Sequence, residues 1–145
     1  MVKITARDET GKKIAEWLTD DQGEHHIIGK KDFTFSEFSE TNAARCVRWH
    51  PEGSEPWMAS DWSNATCSEA GEMANVVKKI RRHETKAVNE GDPTMEELLQ
   101  EVADEIADVV IYADLTARYF GINLAEAIAS KFNRTSAKYG FPERL

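Results

Sequence analysis

The stretch Thr94-Met95-Glu96-Glu97-Leu98-Leu99-Gln100-Glu101-Val102-Ala103-Asp104-Glu105-Ile106-Ala107-Asp108-Val109-Val110-Ile111-Tyr112-Ala113-Asp114-Leu115-Thr116-Ala117-Arg118-Tyr119-Phe120-Gly121 decides the fold of this chain. Its first four residues form a capping-box pattern: a threonine hydroxyl and a glutamate three positions on satisfy orphan backbone donors at a helix start. Apolar residues then recur at helical spacing, uninterrupted by proline, and Gly121 suits the left-handed position just past a helix end. The pattern predicts one long helix that ends at Gly121.

Similar punctuation recurs on either side. Thr34-Phe35-Ser36-Glu37 opens a helix that runs to about Trp49 and stops before Pro51. The segment His50–Ser60 carries two prolines and a glycine and is expected to be a loop. A second helix starts near Ser60 or Asp61, continues through Lys78–Arg82, and is separated from the long one by Glu90-Gly91-Asp92-Pro93. Asn123-Leu124-Ala125-Glu126 begins a fourth, closed by Gly140 with Pro142 beyond. Residues 33–145 are therefore expected to form an all-α domain, a four-helix bundle. The first 32 residues differ. Val2, Ile4 and Ala6 alternate with polar residues, and Glu9-Thr10-Gly11 and Asp20-Asp21-Gln22-Gly23 read as turns, with His25-His26-Ile27-Ile28-Gly29 after them. This predicts a short β-hairpin or meander extension, with a short helix at Lys12–Leu18 as the rival.

A chain of 145 residues suits one principal domain with a core of its own. Its 41% hydrophobic and 30% charged residues are those of a globular rather than a disordered protein. The net charge of -8 argues against a nucleic-acid binder, which needs a basic surface to displace counterions. No segment has the length and apolarity of a membrane span or a signal peptide, so a cytoplasmic protein without a membrane partner is expected. Cys46 and Cys67 form no CxxC pair, which fits a reducing compartment, and both are expected to be small buried hydrophobes.

The chemistry resides in acids. Glu69-Ala70-Gly71-Glu72 on the second helix and Glu105-Ile106-Ala107-Asp108 on the third each put two carboxylates on one helix face. Opposed across a bundle, these faces offer four hard oxygen donors of the kind that Mg²⁺ or Mn²⁺ prefers. Spacing alone is weak: with 26 acids in 145 residues, about five acid-x-x-acid pairs arise by chance, mostly on solvated faces. Context adds weight. Asp108 lies in an apolar run, and Glu72 is flanked by Ala70, Met73, Ala74, Val76 and Val77. A partly buried acid is costly unless a cation or hydrogen bonds compensate it. Glu101 shares a face with Glu105, Asp108 and Tyr112 and is a candidate outer ligand or orienting group.

At these residues the sequence resembles the MazG-like branch of the all-α nucleoside triphosphate pyrophosphohydrolases, relatives of the dimeric dUTPases. That family shows E-E-x-x-E on one helix and E-x-x-D on the next. Ser68-Glu69-Ala70-Gly71-Glu72 matches the first, with serine in place of the leading glutamate, and Glu105–Asp108 matches the second. Arg45–Pro51, Ser60-Asp61-Trp62 and Asn75–Lys79 resemble small phage and bacterial members, and the likeness spans about Phe35 to Leu145.

The resemblance implies hydrolysis of a nucleoside triphosphate to the monophosphate and pyrophosphate, with Mg²⁺ (or Mn²⁺) on Glu69, Glu72, Glu105 and Asp108. It makes Glu69 the candidate base. Lys131, Asn133, Lys138 and Lys79 are candidate phosphate contacts, against the plainer reading of solvated helix-end cations. Tyr112 stands where relatives have an aromatic near the nucleotide, and Trp49 or Trp62 offers a ring for the base, unless packing accounts for them. A homodimer or homotetramer is implied. Two other readings stand beside this one: a non-catalytic four-helix nucleotide-binding or interaction protein, and a dedicated dUTPase.

Overall fold

Local hydrogen bonds fix where each helix begins. In a computed structural model, which describes residues 33–50 and 56–145 together with two short strands near the N-terminus, helix α1 is Phe35–Trp49 and helix α3 is Met95–Tyr119. Both open with a full capping box. The Thr34 and Thr94 hydroxyls accept from the Glu37 and Glu97 backbone N–H at 3.2 Å, and each glutamate accepts from its threonine's N–H at 2.7 Å. Helix α2 is Ala59–Glu84, beginning just ahead of the expected Ser60 because Asp61 Oδ2 accepts from the Met58 N–H at 2.7 Å. Helix α4 is Leu124–Tyr139. Its cap is half a box: Asn123 Oδ1 accepts from the Glu126 N–H, while Glu126 bonds to the Asn123 side chain rather than to its backbone.

Glycine ends two helices as the sequence predicts. Gly121 and Gly140 have φ of 67° and 72°, and the next residues turn back, Ile122 N–H to Ala117 O and Phe141 N–H to Ser136 O, both at 2.9 Å. These are paired C-terminal bonds of the Schellman type.

Contacts divide the chain into Met1–Phe33 and Thr34–Leu145. In the first unit, strands β1 (Thr5–Arg7) and β2 (Lys13–Glu16) pair antiparallel, Thr5 opposite Glu16 and Ala6 opposite Ala15, with an irregularity before Arg7 pairs with Lys13. The turns and the further strand expected around His25–Gly29 lie outside the described residues.

Among the described residues the second unit holds four helices and no strand. Its spine is the α2–α3 hairpin, the most extensively packed pair. Contacts descend along α3 as they ascend along α2, from Thr66–Thr116 (3.4 Å) through Lys79–Glu101 (2.8 Å) to His83–Pro93 (2.6 Å), so the two helices are antiparallel. Leu98, Val76, Trp62, Leu115 and Ala117 are buried around this hairpin.

Helix α1 is joined to α3 by polar groups. Asp114, 1% exposed, accepts from Ser39 Oγ at 2.5 Å and from Asn42 Nδ2 at 3.0 Å. Asn42 also donates to Ile111 O at 2.9 Å, and Arg118 Nε donates to Ser39 Oγ at 2.8 Å. The charge of Asp114 is thus met by two donors and by Arg118 at 3.6 Å, as a buried carboxylate requires.

One expectation needs correction. Cys67 is exposed on α2, one position from Thr66, which meets Thr116 of α3, and Cys46 is half-buried. The apolar run of α3 is not covered on all sides: Ile106 is 50% and Val110 40% exposed in the single chain.

Candidate metal centre

Antiparallel packing of α2 on α3 sets Glu69 against the turn that carries Glu105 and Asp108. One carboxylate oxygen from each of these three residues lies within 4.8 Å of the others, and all three side chains are half-buried. Donors around one octahedral Mg²⁺, each about 2.1 Å from the ion, lie roughly 3–4 Å apart. The three carboxylates are thus close enough together to form a group that could hold a cation.

Electrostatics point the same way. Burial pushes the Glu69 carboxyl up, and the charges of Glu72, Asp108 and Glu105 push it further, as does a hydrogen bond toward Glu105 that only the protonated acid can donate. The Glu105 carboxyl is raised by burial and then by Glu72, Asp108, Glu101 and Asp104. Tyr112 joins this group: burial and the charges of Glu69 and Asp108 raise its hydroxyl, while Arg45 opposes them. Without a cation these acids repel one another. A divalent ion relieves that repulsion.

The remaining residues singled out in the sequence are distributed as follows. Glu72 is exposed, and no oxygen of it belongs to the close group, although its charge reaches Glu69 and Glu105. Its apolar sequence neighbours lie on other faces of α2. Lys79 pairs with Glu101, so each neutralises the other rather than pointing to a ligand. Asn133 is occupied by Leu145, donating to Leu145 O and accepting from Leu145 N–H, both at 2.9 Å. Lys138 lies over the Tyr139 ring at 5.3 Å, Lys131 is exposed, and no hydrogen bond or ion pair joins either to the acids. Trp62 is buried, packed against Trp57 (4.5 Å between rings) and His50 (5.6 Å). Trp49 is 59% exposed with the Arg45 guanidinium 4.7 Å above its ring. Ser68 lines an open cleft with Pro56, Trp57, Asp61, Asn64 and Ala65.

Sequence reading passed over Arg45 and the Ser39–Asn42–Asp114 group. A signal existed for Asp114. An acid in an apolar run needs compensation, and Asp114, between Ala113 and Leu115, is buried more deeply than Asp108. Its partners are 72 and 75 residues away, beyond any local pattern.

No family model, curated protein or solved structure matches this chain.

Proposed function

We propose that this protein is a Mg²⁺-dependent nucleoside triphosphate pyrophosphohydrolase with a MazG-like four-helix bundle. The observation that carries the reading is the convergence of Glu69, Glu105 and Asp108 across α2 and α3. It is supported by the ordered motifs around them in the sequence.

In this reading Glu69, Glu105 and Asp108 hold the metal, and Glu72 adds charge from the exposed side of α2. A bound divalent ion supplies charge neutralisation for phosphate oxygens and acidifies a coordinated water. Glu69, whose carboxyl is raised by burial and by the charges of Glu72, Asp108 and Glu105, is the group that would take a proton from the attacking water. Water adds to phosphorus, the α–β anhydride bond breaks, and nucleoside monophosphate and pyrophosphate are the products. The open cleft lined by Trp57, Asp61 and Ser68 is the place proposed for the base. Exposed Ile106 and Val110 fit a homodimer or homotetramer that covers α3. Among the described residues no helix is long and apolar enough to cross a membrane.

The test is a panel of NTPs and dNTPs incubated with Mg²⁺ and with Mn²⁺, the products separated by chromatography. Monophosphate and pyrophosphate in equal amounts support the proposal. Strong preference for dUTP would narrow it to a dUTPase, and nucleotide binding without turnover would replace it with a binding function.

A further inference from the structure

The centre described so far is almost wholly anionic. Its proposed ligand, a triphosphate, is anionic too, so a cation beyond the metal is needed where the phosphates extend past the acids. The lysine expected for this on α2 is committed, since Lys79 Nζ lies 2.8 Å from Glu101. Arg45 is not. Among the described residues no carboxylate lies within ion-pair distance of its guanidinium.

Hydrogen bonds locate Arg45 near the turn of α3 that carries Ile111 and Tyr112. Along α1 the contacts to α3 descend in order: Ser39 meets Arg118 and Asp114, and Asn42 meets Asp114 and Ile111. Arg45 Nη2 bonds Asn42 Oδ1 and Asn42 Nδ2 bonds Ile111 O, so the guanidinium lies two hydrogen bonds from Ile111, which is next to Tyr112 and one turn from Asp108. The influence of Arg45 on the Tyr112 hydroxyl, alongside Glu69 and Asp108, agrees with that placement.

The side chain is also held. Arg45 Nη2 donates to Asn42 Oδ1 at 3.3 Å, and its plane lies over Trp49 at 4.7 Å. Asn42 is itself fixed by Ile111 O and Asp114. A guanidinium held on one edge and one face keeps its other N–H donors for a ligand. Forked N–H donors suit phosphate oxygens, and part of the ordering cost is already met in the free protein.

We propose that Arg45, positioned by Asn42 and Trp49, is a polyphosphate-binding residue of the centre formed by Glu69, Glu105 and Asp108. The inference rests on the triphosphate reading above and adds a residue and a direction to it: the phosphates leave the acids towards α1.

Two alanine variants at exposed positions of α1 test it, Arg45→Ala and Arg48→Ala, with Arg45→Lys as the conservative change. Each removes or keeps charge without disturbing the core. Inorganic tripolyphosphate binding is measured by calorimetry with Mg²⁺ present, Mn²⁺ binding alone by electron paramagnetic resonance, and KM and kcat with the best nucleotide. Arg45→Ala should weaken tripolyphosphate binding and raise KM by about 10- to 100-fold, the size expected for a charge-assisted contact. Arg45→Lys should fall between, Arg48→Ala should match the wild type, and Mn²⁺ binding should hold in all three. Unchanged tripolyphosphate affinity in Arg45→Ala overturns this inference and leaves the hydrolase reading intact. So do equal losses in Arg45→Ala and Arg48→Ala, or a parallel loss of Mn²⁺. A wild-type protein that binds no tripolyphosphate overturns both.

Discussion

Replacing Asp114 by alanine removes the acceptor that ties α1 to α3, and the cost follows from what each partner loses. Asn42, buried, keeps its bond to Ile111 O but is left with an unmet N–H where a charged acceptor stood. That loss is about 1.5–3 kcal/mol. The Ser39 hydroxyl, only half-buried, can turn elsewhere, so its loss is about 1 kcal/mol. The 3.6 Å pair with Arg118 adds less than about 1 kcal/mol, because Arg118 is more than a third exposed and solvent screens it. The total is about 3–5 kcal/mol, the range for breaking a buried charged contact from one side. Urea unfolding of wild type and variant, with m compared to exclude a change in the unfolding transition, gives the difference. The melting temperature should fall by roughly 10–20 °C. Asp114→Asn keeps an acceptor for Asn42 and should lose only about 1–2 kcal/mol. A loss below about 1 kcal/mol for Asp114→Ala would refute the view that this carboxylate joins the two helices.

Other outcomes follow from the caps and the acids. Thr94→Ala removes the hydroxyl that caps α3 and should cost about 1 kcal/mol in urea unfolding. Glu105→Gln should weaken Mn²⁺ binding well beyond Glu72→Gln, since Glu72 stands outside the close group of oxygens, and equilibrium titration of the two variants compares them. The pH dependence has a definite sign. Glu69 and Glu105 are raised above 4.5, so in the metal-free protein their contribution to stability is present below 4.5 and lost as pH rises through their shifted values. Metal binding needs the ionised acids, so the rise in melting temperature produced by Mg²⁺ should shrink as the pH is lowered from neutrality towards 4.5. A Mg²⁺ effect that grows on acidification would contradict this assignment. The capping acids Glu37 and Glu97 have lowered values, so their stabilisation is lost only as pH falls further, through those values.

The helices were legible in the sequence because their signals are local. Thr34 and Thr94 with glutamates three residues on, Asn123, and the glycines at 121 and 140 act within one turn, and each does so in the structure. The acid group was legible in part, since the i, i+3 spacing aligns Glu105 with Asp108 whatever the helix packs against. What spacing does not carry is the rotation of one helix on another. That rotation leaves Glu72 and Cys67 exposed, and sets Lys79 on Glu101 from 22 residues away. The link from α1 to α3 was illegible for the same reason. Asp114 carried a signal as an acid in an apolar run, but Ser39 and Asn42 are ordinary polar residues until packing brings them to it, and Arg45 gains its place only through Asn42.

The central claim is that Glu69, Glu105 and Asp108 hold one divalent cation, and its most direct test is a Mn²⁺ titration followed by electron paramagnetic resonance at neutral pH. Wild-type protein should take up Mn²⁺ at a saturable site from which Mg²⁺ displaces it, and Asp108→Asn should lose that site while its circular dichroism and melting stay those of a folded helical protein. Equal Mn²⁺ uptake by wild type and Asp108→Asn, or no saturable uptake by the wild type, would contradict it.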